Sequence, residues 1–291
     1  MTGTPPMTDT PPTADPAGTA AAGTSPDDPA AAVEVRGLRV AYGETTVLHD
    51  IDLTVRAGEI MVIMGGSGSG KSTLLNTLLG LLRPTAGEVR LLGQDITRMK
   101  ERDLARLRQR MGVAFQGGAL FSSLSVGENI MLPLREHTRL DEETMRIMAR
   151  MKMEVVDLGG REGLMPAELS GGMVKRAALA RAIIMDPQLL FCDEPSAGLD
   201  PVVAKQIDRL ILDLRAAFDM TVIVVTHELD SAFDIADRIC VLDRGHVRIV
   251  DTVENVRQTD DQRVQDLLNR RAETVEVDPD AYLSRLTGDI L

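Results

Sequence analysis

An α/β fold is what the 291-residue sequence predicts: a mostly parallel sheet with helices on both faces, an N-terminal antiparallel β subdomain and an inserted α-helical subdomain. Three observations carry that expectation. Short apolar runs at Ile60–Met64, Leu189–Cys192 and Thr221–Thr226 read as strands buried on both faces, and helical patterns alternate with them, as in a covered parallel sheet. Nearer the N-terminus, Val33–Val40 and Val47–Val55 alternate apolar and polar residues, as half-buried antiparallel strands do. Between Val126 and Met185 the patterns are helical, with no convincing strand.

In chain order, Met1 to about Ala32 is Thr, Pro, Ala, Gly and Asp with no Lys or Arg. Such a stretch buries too little apolar surface to offset the entropy of ordering and is expected to be a disordered tail. Tyr42 and Gly43 mark the turn between the alternating strands. After Ile60–Met64 comes a glycine-rich loop, then a helix at Leu74–Leu79. Arg83–Glu88 leads to a strand at Val89–Leu92, Asp103–Arg110 looks helical, and Gly112–Phe115 is a short strand ending at Gln116. Within the helical insertion, about residues 122–186, Met145, Met148 and Met151 stand three apart and are expected to form a core stripe of adaptable side chains. A helix at Met173–Ile184 ends the insertion and one at Val202–Phe218 separates two buried strands. Arg238–Leu242 and His246–Val250 complete the sheet. From Asp260 to Leu291 the chain is polar but ends in Leu283, Leu286, Ile290 and Leu291, and reads as a tail with a docking segment.

Composition narrows the function classes. A net charge of -12 argues against a nucleic-acid surface, which needs Lys and Arg to neutralise phosphates. The basic run Arg98, Lys100, Arg102, Arg106, Arg108 and Arg110 is interleaved with Glu101 and Asp103, and reads as a solvated helix face or a contact to a partner or lipid headgroups. Cys192 and Cys240 both fall in buried strands and form no C-x-x-C pair, so free thiols in a reducing cytoplasm are expected. No apolar run reaches the roughly 18 to 20 residues of a membrane helix, and no secretion signal is evident.

The chemistry centres on Gly65, Gly66, Ser67, Gly68, Ser69, Gly70, Lys71, Ser72 and Thr73, a G-x-x-x-x-G-K-[ST] loop between strand and helix. Successive glycine N–H groups can face one concavity that holds phosphate oxygens. Lys71 would reach the β- and γ-phosphates, Ser72 would ligate Mg²⁺, and the helix dipole adds to the anion site. A nucleoside triphosphate with Mg²⁺ is the expected ligand pair. Asp193 and Glu194 end another buried strand, where open α/β sheets bind ligands. Asp193 would hold Mg²⁺ and Glu194 would polarise the attacking water. Ser170, Gly171 and Gly172 open a helix and offer a second set of free N–H groups.

Two anion sites far apart in sequence make the chain resemble the ATP-binding cassette ATPases, P-loop NTPases whose subunits pack head to tail around two nucleotides. The resemblance covers roughly Val33–Val256, within a 33–256 nucleotide-binding domain followed by a 257–291 extension. It implies that Tyr42 stacks on adenine and that Gln116 senses Mg²⁺ and water while contacting a membrane permease. It also implies that Asp200, closing Ser196–Asp200, couples the two sites, and that His227 is the γ-phosphate switch. A lone histidine is by default a core or capping residue; the place of His227 after Val224-Val225-Thr226 reverses that. Where the family usually has Gln after Leu-Ser-Gly-Gly, Met173 stands here, so a polar contact from that position is in doubt. Leu169–Arg176, Gly118–Phe121 and Pro133–Thr138 resemble the ATPases of bacterial Mla- and Mce-type phospholipid transporters. That likeness implies a homodimer with ATP at its interface, on the cytoplasmic face of the inner membrane under a permease. It also implies an MCE-domain protein and, in some systems, a small STAS-domain partner. Ala119, Leu120, Phe121, Leu124, Met131 and Leu134 are expected to border the permease groove. The alternatives are an ATPase for another solute and a soluble cassette switch protein.

Overall fold

The computed structural model describes residues 31–269; the expected tail up to residue 30 and the apolar end at Leu283–Leu291 lie outside them. Chain alternation builds the antiparallel sheet first. β1 (Ala31–Tyr42) and β2 (Thr45–Arg56) form a hairpin, and β4 (Ala86–Leu91) and β5 (Gln94–Asp95) extend it in the order β2-β1-β4-β5. Ala31 and Ala32 thus belong to a strand, not to the tail.

The second sheet runs β10-β9-β3-β8-β7-β6. It comprises β3 (Ile60–Met64), β6 (Met111–Ala114), β7 (Leu189–Asp193), β8 (Thr221–Thr226), β9 (Arg238–Asp243) and β10 (His246–Thr252). All pairs are parallel except β9 with β10. Every residue of β3 is buried, and the two-residue strand period explains how. Ile60, Val62 and Met64 join one core, while Met61 and Ile63 join the other. The second core lies against the antiparallel sheet, α1 (Lys71–Leu78) and α2 (Glu101–Arg108). The first lies against α3 (Val126–His137), α4 (Glu142–Val155), α5 (Gly171–Ala182), α6 (Pro201–Phe218) and α7 (Leu229–Ile235). Cys192 and Cys240 are buried free thiols, pushed up to about 12 by burial.

Three expectations change. On α4, Met145 is buried and Met148 packs on the core, but Met151 is 64% exposed. Three-residue steps turn about 60° off the face each time, so the row Met145, Ala149, Met153 is the one that stays buried. On α2, Arg102 and Arg106 face solvent, whereas Arg108 donates to Leu79 O and Gly80 O and satisfies the carbonyl end of α1. At the end of the expected cassette α8 (Val253–Gln258) buries Val256, and beyond it α9 (Gln262–Leu268) buries Val264, where a polar tail was expected from Asp260.

Candidate functional site

Strand order decides what meets. The carboxyl ends of β3, β8, β7 and β6 lie side by side, and each delivers the chain to a candidate residue. β3 leads into the glycine loop, β8 to His227, β7 to Glu194, and β6 through Phe115 to Gln116.

α1 starts at Lys71 without a capping side chain, because its N-cap is Gly70 at φ 105°. By contrast α3, α4, α5 and α6 are capped by Ser125, Asp141, Ser170 and Asp200. The first turn of α1 is therefore open to an outside acceptor. Lys71 Nζ donates to Gly65 O at 2.8 Å and Gly66 O at 2.9 Å. Burial pulls its pKa down, against the fields of Glu194 and Asp193. Beneath the loop, Ser69 Oγ is buried with no hydrogen-bond partner among the described residues. An uncapped helix, a desolvated ammonium on mere carbonyls and an orphaned hydroxyl fit a polyanion. The β9–β10 hairpin buttresses the loop from below: Gly245 N donates to Ser69 O at 2.9 Å. A Cβ on Gly65 would lie 2.1 Å from Leu242 O, so this position admits only glycine.

The paired carboxylates differ. Asp193 is half-buried, and burial followed by the charge of Glu194 pushes its pKa up, with Lys175 and Lys71 opposing. Glu194 is 8% exposed and adopts φ +48°, a left-handed conformation that costs a non-glycine residue about 1–2 kcal/mol. Both its backbone groups are held: N–H donates to Val225 O at 2.8 Å, and the carbonyl accepts from Lys175 Nζ at 2.7 Å. Its carboxylate turns onto the end of β8, where Oε2 accepts from Thr226 Oγ1 at 3.0 Å and Oε1 lies 2.7 Å from His227 Nδ1. Gln116 is exposed, and its carbonyl accepts from the same Lys175 at 2.5 Å. Ser72 is exposed at the start of α1. One carboxylate, one hydroxyl and one amide among Asp193, Ser72 and Gln116 suit Mg²⁺, which binds through few protein ligands plus water and phosphates.

Other expected residues stand apart from this cluster. Tyr42 closes β1 with its ring 51% exposed, and farther along the hairpin Leu48 packs beside Gly70. Ser170 Oγ accepts from Met173 N at 3.4 Å, and Asp200 Oδ1 accepts from Val202 N and Val203 N at 3.1 Å each. A Cβ on Gly172 would lie 2.6 Å from Val203 Cγ1, so that glycine also serves packing. α5 packs on α3, α4, α6 and β6, whereas α1 packs on β2 and β8. One chain therefore presents its two glycine-rich helix ends in separate packing environments.

Met173 answers the departure in its motif by turning inward. It packs on the core and lines a groove of about 710 Å³ with Val155, Leu210 and Leu214. Met173→Gln is expected to lower stability by about 0.5–1.5 kcal/mol and change ATPase rates by less than threefold. Thermal melts and steady-state rates check this; a tenfold rate loss, about 1.4 kcal/mol in the barrier, would give Met173 a role at the nucleotide.

After Gln116 the loop is pinned by residues that sequence reasoning missed. Buried Asn129 accepts from Phe121 N and donates to the carbonyls of Phe121, Leu124 and Ser125, while Arg181 donates to Gly118 O and Ala119 O. Phe121 stands 54% exposed over a groove of about 360 Å³ with Phe115, Leu132, Pro133 and Met185. Met131 and Leu134, expected on its rim, are instead buried in the core face of α3. A second missed network is buried: Ser231 Oγ donates to Asp208 Oδ1 and Ser196 Oγ to Ser231 Oγ. For Lys175 the signal was its position, since Gly172, Ala178 and Leu179 at helical spacing are all buried.

An open helix end under a strand-borne glycine loop, with acidic residues at the same sheet end one strand removed, assigns the chain to the P-loop NTPases. Comparisons narrow the class. The family model described as ABC transporter matches residues 48–197. The "probable ribonucleotide transport ATP-binding protein mkl" of Mycobacterium leprae is 42% identical over 240 residues, covering 82% of this chain and 69% of that protein. The intermembrane phospholipid transport system ATP-binding protein MlaF of Haemophilus influenzae is 44% identical over 236 residues, covering 81% and 89%. A solved structure, the dimeric ATP-binding cassette MJ0796 in a post-hydrolysis state bound to ADP and Pi, has a TM-score of 0.70 at 32% identity, covering 76% of this chain and 98% of that one. The chain belongs to the ABC transporter family and is an ATP-binding ATPase of it.

Proposed function

We propose that this chain is the ATP-hydrolysing subunit of a bacterial transporter that energises phospholipid movement across or from the inner membrane. The observation that carries the reading is the likeness to MlaF, which spans nearly all of that relative. The likeness to mkl supports a second reading, transport of a ribonucleotide, but covers less of that protein. Two copies enclose ATP head to tail, each phosphate loop facing the Ser170–Gly172 helix end of the other copy. Lys71 binds the β- and γ-phosphates and Tyr42 stacks on adenine. Ser72, Asp193 and Gln116 hold Mg²⁺, which when bound neutralises phosphate charge. Glu194 takes the proton of the attacking water, with Thr226 and His227 orienting its carboxylate. His227 also senses the γ-phosphate, and Asp200 links the two sites.

None of the described helices is long and apolar enough to cross a membrane, and the proposed partner is an integral membrane permease. The open groove beside Phe121 suits an apolar helix of such a permease, holding the subunit on the cytoplasmic face. An MCE-domain lipid-binding protein and a STAS-domain protein complete the proposed complex, on the resemblance of motifs alone. Phe121→Ala tests the arrangement. Exposed in the lone subunit, Phe121 should cost less than about 0.5 kcal/mol of stability when removed. As a buried anchor it should cost about 2 kcal/mol or more of permease binding, roughly 30-fold, and so release the subunit from membranes. Retention of the variant on permease-containing membranes, or complexes holding ribosomes or DNA and no permease, would contradict the proposal.

A further inference from the structure

We propose that Lys175 is a positioning residue for hydrolysis, its ammonium bracing two backbone carbonyls, Gln116 O and Glu194 O, the second of them on the residue that carries the catalytic carboxylate. This rests on reading Glu194 as the general base. Lys175 is only 9% exposed and sits on the buried face of α5, where Gly172, Ala178 and Leu179 pack. An apolar residue would serve packing there without the cost of burying a charge, and a buried cation is kept at such a place when something needs its hydrogen bonds. Its hydrogen-bond partners are two main-chain oxygens at 2.5 and 2.7 Å. Burial lowers its pKa, while the charges of Glu194 and Asp193 oppose that and favour the ammonium.

What those oxygens belong to gives the brace its meaning. Glu194 holds a left-handed backbone conformation, and its N–H is tied to Val225 O on β8. The carbonyl accepts from Lys175 Nζ at 2.7 Å, its short charge-assisted bond, and from Ala197 N only at 3.4 Å. With both ends held, the side chain meets Thr226 and His227. With the ammonium gone, the left-handed residue relaxes and the carboxylate loses its direction. The other carbonyl, of Gln116, opens the loop that Arg181, less than two turns farther along α5, grips at Gly118 O and Ala119 O. α5 therefore holds the hydrolytic base and the groove loop on one rigid element.

The test compares Lys175→Met, which keeps the apolar stem, with Lys175→Arg, which restores charged donors. In ATPase assays of the full chain, Lys175→Met is expected to lower kcat about tenfold or more while KM for ATP stays within about twofold. Lys175→Arg is expected to recover at least a third of the wild-type kcat. Glu194→Gln is run beside them. If Glu194→Gln turns over normally, the base assignment fails and the brace with it. If Glu194→Gln is inactive but folded Lys175→Met keeps kcat within twofold of wild type, or loses KM and kcat alike, the brace alone is overturned. Should Lys175→Met not fold, Lys175→Gln carries the same comparison with the same outcomes.

Discussion

Glu194→Gln is expected to bind ATP normally and to hydrolyse it about 10²- to 10⁴-fold more slowly, the range that general-base removal costs. The amide keeps the volume of the side chain and can still accept from Thr226 Oγ1, so the left-handed backbone at Glu194 and its ties to Val225 and Lys175 should persist. It cannot take a proton from water. Single-turnover hydrolysis and equilibrium ATP binding separate the two effects. A rate near that of the unsubstituted chain would remove Glu194 from the reaction; a parallel loss of binding would make its role structural.

Lys71→Ala should fail at the earlier step. Charge-assisted hydrogen bonds to phosphate are worth about 1.5–3 kcal/mol, so ATP affinity should fall roughly 10- to 150-fold. Burial already disfavours the ammonium on its two loop carbonyls, and Asp193 and Glu194 supply the nearby negative field. Removing it leaves that field uncompensated where phosphates would enter. Titration calorimetry with ATP checks the number, and unchanged affinity would contradict the assignment of the loop to the triphosphate.

The site was legible in the sequence where it is local. The phosphate loop, the acidic strand end and the LSGG turn are each contiguous, and glycine, lysine and carboxylate are each demanded by backbone approach or charge. Helix starts were less legible: α1 begins at Lys71, three residues before the apolar pattern does, because its first turn faces the ligand side and not the core. Strand order was not legible at all. Nothing local says that β8 pairs with both β3 and β7, yet its pairing with β7 brings His227 to Glu194. The buried place of Lys175 on α5 was legible but its partners, main-chain atoms on other segments, were not; Asn129 bonds main-chain atoms only four to eight residues back, which likewise leave no residue pattern. The methionine stripe on α4 failed on helical geometry, because three-residue spacing leaves the core face that Met145, Ala149 and Met153 keep.

The central claim is that ATP hydrolysis here drives phospholipid movement. Its most direct test is the complete membrane complex purified with this chain, reconstituted into vesicles carrying labelled phospholipid. ATP should move lipid with the unsubstituted chain, and should move none with Glu194→Gln at the same nucleotide occupancy. ATP-driven uptake of a ribonucleotide with no lipid movement, or lipid movement that persists with Glu194→Gln, would contradict the account.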